Sequence, residues 1–198
     1  HFSVTVTPSG TATIYVNGVA VATSTSPSFL PNDVTRVNNY IGKSNWAADA
    51  LFKGQMRDLS IWKTALTPAQ VAASMTTLDT GNASSPSGYW PLSSFAPLNG
   101  TTTGSTVTIN SQAIVSGQPS YVTAGSTMTF DGVSTSVQLP SGGFRDFSQG
   151  FSAGVWAYTS SVANWGRYFE FGNGVNSDNI VLSRNYLTND LTFFVAKG

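Results

Sequence analysis

Charge is scarce in this sequence. Asp, Glu, Lys and Arg make up 9% of 198 residues and the formal net charge is zero, so there is no electrostatic footprint for nucleic acid or an anionic membrane. Cysteine is absent, which excludes disulfide staples and thiolate metal sites and is neutral about compartment. No apolar run approaches the ~20 residues of a membrane helix, so no membrane insertion is expected. The only histidine is His1 and the only glutamate is Glu170. Glycoside hydrolysis on a β scaffold needs two carboxylates ~5–10 Å apart; Glu170 lies between Phe169 and Phe171, and its expected place is the solvent face of a strand. No enzyme is expected, and no cofactor is required. The chain has no initiator Met and opens on His1-Phe2-Ser3-Val4, which reads as mid-strand and points to a longer, secreted precursor.

What is present is aromatic, hydroxylated and periodic. Aromatics reach 12% and hydrophobics 40%, ample for a core. Phe2, Val4 and Val6 alternate with Ser3, Thr5 and Thr7, and Ala12, Ile14 and Val16 alternate with Thr11, Thr13 and Tyr15. Asn17-Gly18 then links two β-branched runs, the signal of a type I′ hairpin whose central residues both need positive φ. Further strands are expected near 37–42, 52–62, 106–109, 128–130, 136–139, 151–158, 168–171, 180–183 and 191–195. One helix is specified, with Thr67 as N-cap, Pro68 at its first position, Gln70 closing a capping box and Leu66 and Val71 as a hydrophobic staple; it should run to about Met75. Residues 79–88 are polar and read as a linker. Many short strands between Gly, Ser and Asn turns argue for an all-β sandwich with one short surface helix.

The motifs carry a resemblance. His1–Val6, Ile14-Tyr15-Val16-Asn17-Gly18, Tyr40-Ile41-Gly42, Phe52–Trp62 and Ala65–Val71 are similar to the C-terminal half of the laminin-G-like, concanavalin A-like antiparallel β-sandwich domains of secreted proteins. Tyr89-Trp90-Pro91-Leu92, Met128–Gly132 and Phe151–Trp156 resemble the N-terminal half of the same family. The resemblance implies a segment 1–78 like the C-terminal half, the linker 79–88, and a segment 89–198 like the N-terminal half, in inverted order. It also implies that the strand at 191–195 neighbours the strand at 2–7. Three completions are open: closure within the chain, one period of a tandem array, or strand exchange between copies.

Candidate sites follow. Two loops place a Trp beside an Asn: Asn45-Trp46, and Asn164-Trp165 with Arg167 after it. These suit a glycan platform, a protein contact or a loop folded over the sandwich. Trp62, Trp90 and Trp156 sit in motif positions and are expected to pack. Relatives often hold a structural calcium, for which Asp131 and Asp49 are candidates against a reading as turn-forming Asp; Asp58 is not one, since consecutive strand residues face opposite ways and it follows Arg57. Asn82 and Asn99 fit the N-glycosylation rule. The function put first is a non-catalytic extracellular unit of a fibre, sheath or adhesin stalk that partners copies of itself. The alternative is a carbohydrate-binding or adhesion module acting on glycans through its loop tryptophans.

Overall fold

The structure is a computed structural model and describes residues 1–76, 86–90, 92, 100–103, 106–109, 127–142, 144–161 and 164–198. Its strands are β1 (Phe2–Val6), β2 (Thr11–Val16), β3 (Val19–Thr25), β4 (Asn38–Ile41), β5 (Lys53–Trp62), β6 (Gly88–Trp90), β7 (Gly100–Thr103), β8 (Thr106–Ile109), β9 (Met128–Asp131), β10 (Ser136–Leu139), β11 (Phe151–Thr159), β12 (Arg167–Gly172), β13 (Asn179–Arg184) and β14 (Leu191–Ala196). The one α-helix among the described residues is α1 (Pro68–Ala73).

Two sheets form. The first runs β3-β2-β1-β11-β5-β6, with β9 also paired to β5; the second runs β14-β13-β12-β4-β10-β8-β7. Every pair is antiparallel except β10 with β8, which is parallel. The period-two pattern explains the layering: Val4, Val6, Ala153 and Val155 face Ile41, Phe169, Phe171 and Leu182 across one core, all but fully buried. Strands from before and after the 79–88 stretch interleave in both sheets. β1 and β5 flank β11, and β4 lies between β10 and β12.

The local expectations hold where chemistry dictates them. Asn17 and Gly18 have φ 49° and 78°, closing the β2–β3 hairpin with Val16 opposite Val19. Thr67 and Gln70 form the reciprocal capping box. Leu66 and Val71 join Tyr15 and Trp62 in a small cluster, so the helix covers part of the first sheet's outer face. It stops at Ala73, short of Met75, with Ser74 as its cap. A 3-10 turn at Pro27–Phe29 and the strands β6 and β7 were not foreseen; β6 begins at Gly88, inside the expected linker.

One long-range expectation fails. β14 does not neighbour β1: the two strands lie in opposite sheets. β1 already has β2 on one side and β11 on the other, so no edge of it is open, while β14 pairs with β13 at the border of the second sheet. The chain ends also sit at opposite ends of the sandwich. Phe2 is level with Val16 and Val155, whereas Lys197 Nζ lies 3.4 Å from the Pro27 carbonyl, near the turn at Gly10.

Candidate functional site

The outer face of the second sheet holds the first site. In β12, Phe169 and Phe171 enter the core, so Glu170 must point outward. It does, but it does not meet solvent: its exposure is 0%, which corrects the solvent-facing expectation. The loop after β4 folds over it. Asn45 donates to Oε1 from its backbone N–H at 3.1 Å and from Nδ2 at 2.7 Å, and Asn179 Nδ2 donates to the same oxygen at 3.0 Å. Arg167 Nε donates to Oε2 at 2.8 Å. A buried carboxylate survives only when paired and fully hydrogen-bonded. Alternation along the strand showed Glu170's direction but could not reveal the loop above it.

Arg167 is the second half of this network. It is 3% exposed. Its Nη2 donates to Asp49 Oδ2 at 2.7 Å, and its Nη1 to the Trp165 carbonyl at 2.8 Å. The guanidinium lies 5.5 Å from the centre of the Trp46 ring and 6.0 Å from that of Phe194, within cation–π range. Ser44 Oγ stands 2.8 Å from Asp49 Oδ2 and 3.2 Å from Glu170 Oε2, and accepts from the Trp46 N–H at 3.0 Å. The two tryptophan loops are tied directly, the Ala50 N–H donating to the Asn164 carbonyl at 3.0 Å.

The result is a cleft of about 200 Å³ lined by Trp46, Asp49, Trp165, Arg167 and Phe194. It is smaller than the ~300–1,000 Å³ pockets that engulf small molecules, so it suits contact with one face of a ring. Trp46 and Trp165 are half-buried. Trp165 holds φ 54°, rare for a bulky residue and costing about 1–3 kcal/mol; the bond from Arg167 to its carbonyl and edge contact with Tyr186, 6.2 Å between centroids, hold it there. Asp49 Oδ2 is engaged, while Oδ1 makes no bond among the described residues and can accept one from a ligand hydroxyl.

The sequence candidates thus divide. Trp46, Trp165 and Arg167 converge on one cleft. Asn45 turns its amide inward to Glu170 instead, and Asn164 serves the loop–loop bond, its Oδ1 buried without a partner among the described residues. Asp49, singled out for calcium, lines the cleft through its bond to Arg167. Asp131 is a turn: Oδ1 accepts the N–H groups of Val133, Ser134 and Thr135, and Oδ2 accepts the Ser134 hydroxyl. Those bonds hold its carboxyl well below the usual range. Among the described residues no three of His, Cys, Asp and Glu gather closely enough for a metal. Asn82 and Asn99 lie outside the described residues. Phe194 was missed, although two adjacent phenylalanines in one strand require one to face outward.

A further correction falls on the first sheet. Asp58 adopts φ 54° at a bulge where the β5–β11 register shifts between Gly154 and Trp156. Alternation breaks there, so Arg57 and Asp58 pair on one face, Nη1 to Oδ2 at 2.5 Å. Tyr89 Oη donates to Asp58 Oδ1 at 2.6 Å. Burial raises the Asp58 carboxyl, opposed by Tyr89 and Arg57. Trp62 and Trp90 pack as expected, each 2% exposed, whereas Trp156 is half-buried on the outer face.

The two packed sheets make this a β-sandwich of the concanavalin A-like kind; no described helix is long and apolar enough to cross a membrane. Residues 1–72 match the family model of the concanavalin A-like lectin/glucanases superfamily, in the block whose motifs resemble the C-terminal half. No curated protein and no solved structure matches the chain. The superfamily suggests an extracellular module of adhesion or carbohydrate-binding type, and such lectin-like domains are generally non-catalytic.

Proposed function

We propose that this chain is a non-catalytic, extracellular carbohydrate-binding module whose ligand ring lies in the Trp46–Trp165–Phe194 cleft. The observation that carries the reading is the convergence of two separate tryptophan loops on a cleft with a fixed cation and an open acceptor, Asp49 Oδ1. Aromatic faces stack on the C–H face of a sugar, and a carboxylate oxygen takes its hydroxyls. Arg167 is a positioning residue, since its donors are largely committed to Glu170, Asp49 and Trp165. Trp46→Ala should lower affinity for a bound oligosaccharide about tenfold or more, each tenfold being ~1.4 kcal/mol, without changing the thermal unfolding midpoint by more than a few degrees. Wild-type protein that binds none of a broad glycan array would remove the reading.

A second reading is assembly into a fibre, sheath or stalk from copies of the chain, in inverted half order. A specific observation supports it. β3 is exposed along its whole length and carries neither charge nor proline, and β14, also an edge, is uncharged from Leu191 to Ala196. Natural edges are normally protected against pairing. Between these edges an apolar slot of about 90 Å³ opens, lined by Ala12, Ile14, Ala22, Phe29 and Phe193 among others. A strand from another copy would pair with the edge and fill the slot. Val21→Lys should then abolish higher-order species in sedimentation velocity; a wild-type monomer at all concentrations would defeat it. Structural calcium and glycans at Asn82 or Asn99 remain proposals that metal titration and mass spectrometry of secreted protein decide.

A further inference from the structure

The outer face of the first sheet carries a second aromatic cleft. Along β11, Ala153 and Val155 enter the core, so Trp156 and Tyr158 face out. Across β5, Arg57 stands opposite Trp156 and Gln55 opposite Tyr158; Thr129 of β9 stands opposite Gln55. Gln55, Arg57, Trp156 and Tyr158, with Thr127 and Ala157, bound a cleft of about 140 Å³.

The platform is held in place before any ligand arrives. The Arg57 guanidinium lies 4.8 Å from the centre of the Trp156 ring, and the His1 ring packs 5.3 Å from it. His1 in turn lies over Gly154, where a Cβ would come within 3.0 Å of its Nε2. The bulge at Asp58 puts the carboxylate on the same face as Arg57, so the charge is cancelled locally. What then faces the cleft is neutral overall and rich in donors: a guanidinium with 25% side-chain exposure, an amide, a threonine hydroxyl and Tyr158, 67% exposed. Among the described residues the buried Trp156 Nε1–H has no acceptor.

We propose that this cleft is a second saccharide site, taking a neutral sugar unit against Trp156 and Tyr158, so that the module is bivalent with its two sites on opposite faces. The proposal rests on the carbohydrate-binding reading of the first cleft. A peptide strand is excluded by the topology: β5 and β11 are interior strands with both edges paired, so their backbone has nothing to offer by strand addition. An acidic ligand is disfavoured because Asp58 already neutralises Arg57. A neutral polyol ring matches an aromatic face rimmed by hydroxyl and amide groups. Two sites facing away from each other would let one chain bridge two glycan strands, an avidity gain that neither site supplies alone.

The test uses the tryptophan indoles as reporters. The five indole N–H resonances are followed in ¹⁵N–¹H spectra while cellopentaose, xylohexaose, mannohexaose and chitohexaose are titrated in turn. The expected result is that one sugar shifts the Trp156 resonance together with those of Trp46 and Trp165, while buried Trp62 and Trp90 stay still. In Trp46→Ala the Trp156 shift should persist, and in Tyr158→Ala it should weaken at least tenfold while the Trp46 shift is retained. Tyr158 is exposed, so this variant leaves the fold intact. A saturating sugar that moves Trp46 and Trp165 but never Trp156 overturns the second site and leaves the first. A Trp156 shift that disappears in Trp46→Ala shows a relayed effect and overturns it too. If no indole moves with any sugar, the carbohydrate reading fails as a whole.

Discussion

The two outer faces of the sandwich solve the same local problem in different ways. Each places an arginine against a tryptophan and beside a carboxylate: Arg167 with Trp46 and Glu170 on the second sheet, Arg57 with Trp156 and Asp58 on the first. On the second sheet a loop covers the pair, the arginine is 3% exposed and its hydrogen bonds converge on neighbouring groups. On the first sheet a bulge brings the pair together and the arginine keeps a quarter of its side chain in solvent. Burial makes the first arrangement rigid and costly to break; exposure makes the second adaptable and weak.

That contrast is best broken at its deepest point. Glu170→Ala leaves Arg167 buried with only part of its compensation, and should destabilise the fold by about 3–5 kcal/mol, the usual cost of an orphaned buried charge. Urea unfolding measures it; a loss below ~1 kcal/mol would mean that the loop simply opens to water. On the first sheet Arg57→Ala leaves Asp58 buried but still bonded by Tyr89 and already raised toward its neutral form, so it should cost less, about 1–3 kcal/mol.

Next in size is binding. Arg167→Lys keeps the charge but loses the planar fork that reaches Asp49, Glu170 and the Trp165 carbonyl at once. The Trp46 and Trp165 loops should loosen, with sugar affinity by calorimetry falling several-fold and the melting midpoint dropping only modestly.

Acid titration sharpens the comparison within the first sheet. Asp131 has a depressed carboxyl, so its contribution is complete above the unfolded value of ~3.9 and is lost as pH falls toward the folded value. Asp58 has a raised carboxyl; the folded state takes up its proton first, so this group adds stability as pH falls from the folded value to the unfolded one. Asp131→Asn should therefore flatten the acid limb of thermal stability, and Asp58→Asn should steepen it. Equal slopes in both variants would contradict the opposite signs.

The smallest effect is expected at the hairpin under the helix. Gly18→Ala forces a side chain into φ 78° and brings a Cβ to 3.0 Å from Met75 Sδ, a flexible neighbour. The cost should be about 1 kcal/mol, read as a shift in the urea midpoint with sugar binding unchanged.

Much of this was legible beforehand. Twelve of the strands lie within a residue or two of where the sequence pattern placed them, because each needs only an apolar face and a turn at either end. Trp46, Trp165 and Arg167 stood out as aromatic and cationic groups in loops. Glu170's burial, the turn of Asn45 toward it and the pairing of Arg57 with Asp58 did not, since each depends on what another segment lays across the strand or on a bulge that cancels alternation.

The sequence alone determined the alternation, the Asn17-Gly18 turn, the capping box of Thr67 and Gln70 and the scarcity of charge, all set by contacts within a few residues. The tertiary structure decided that β1 and β14 part into opposite sheets, that two loops distant in the sequence close one cleft, and that a lone glutamate becomes a buried anchor. The reason is that strand partners and burial are fixed by competition among distant segments for the same edges and faces. No stretch of a chain carries that information by itself.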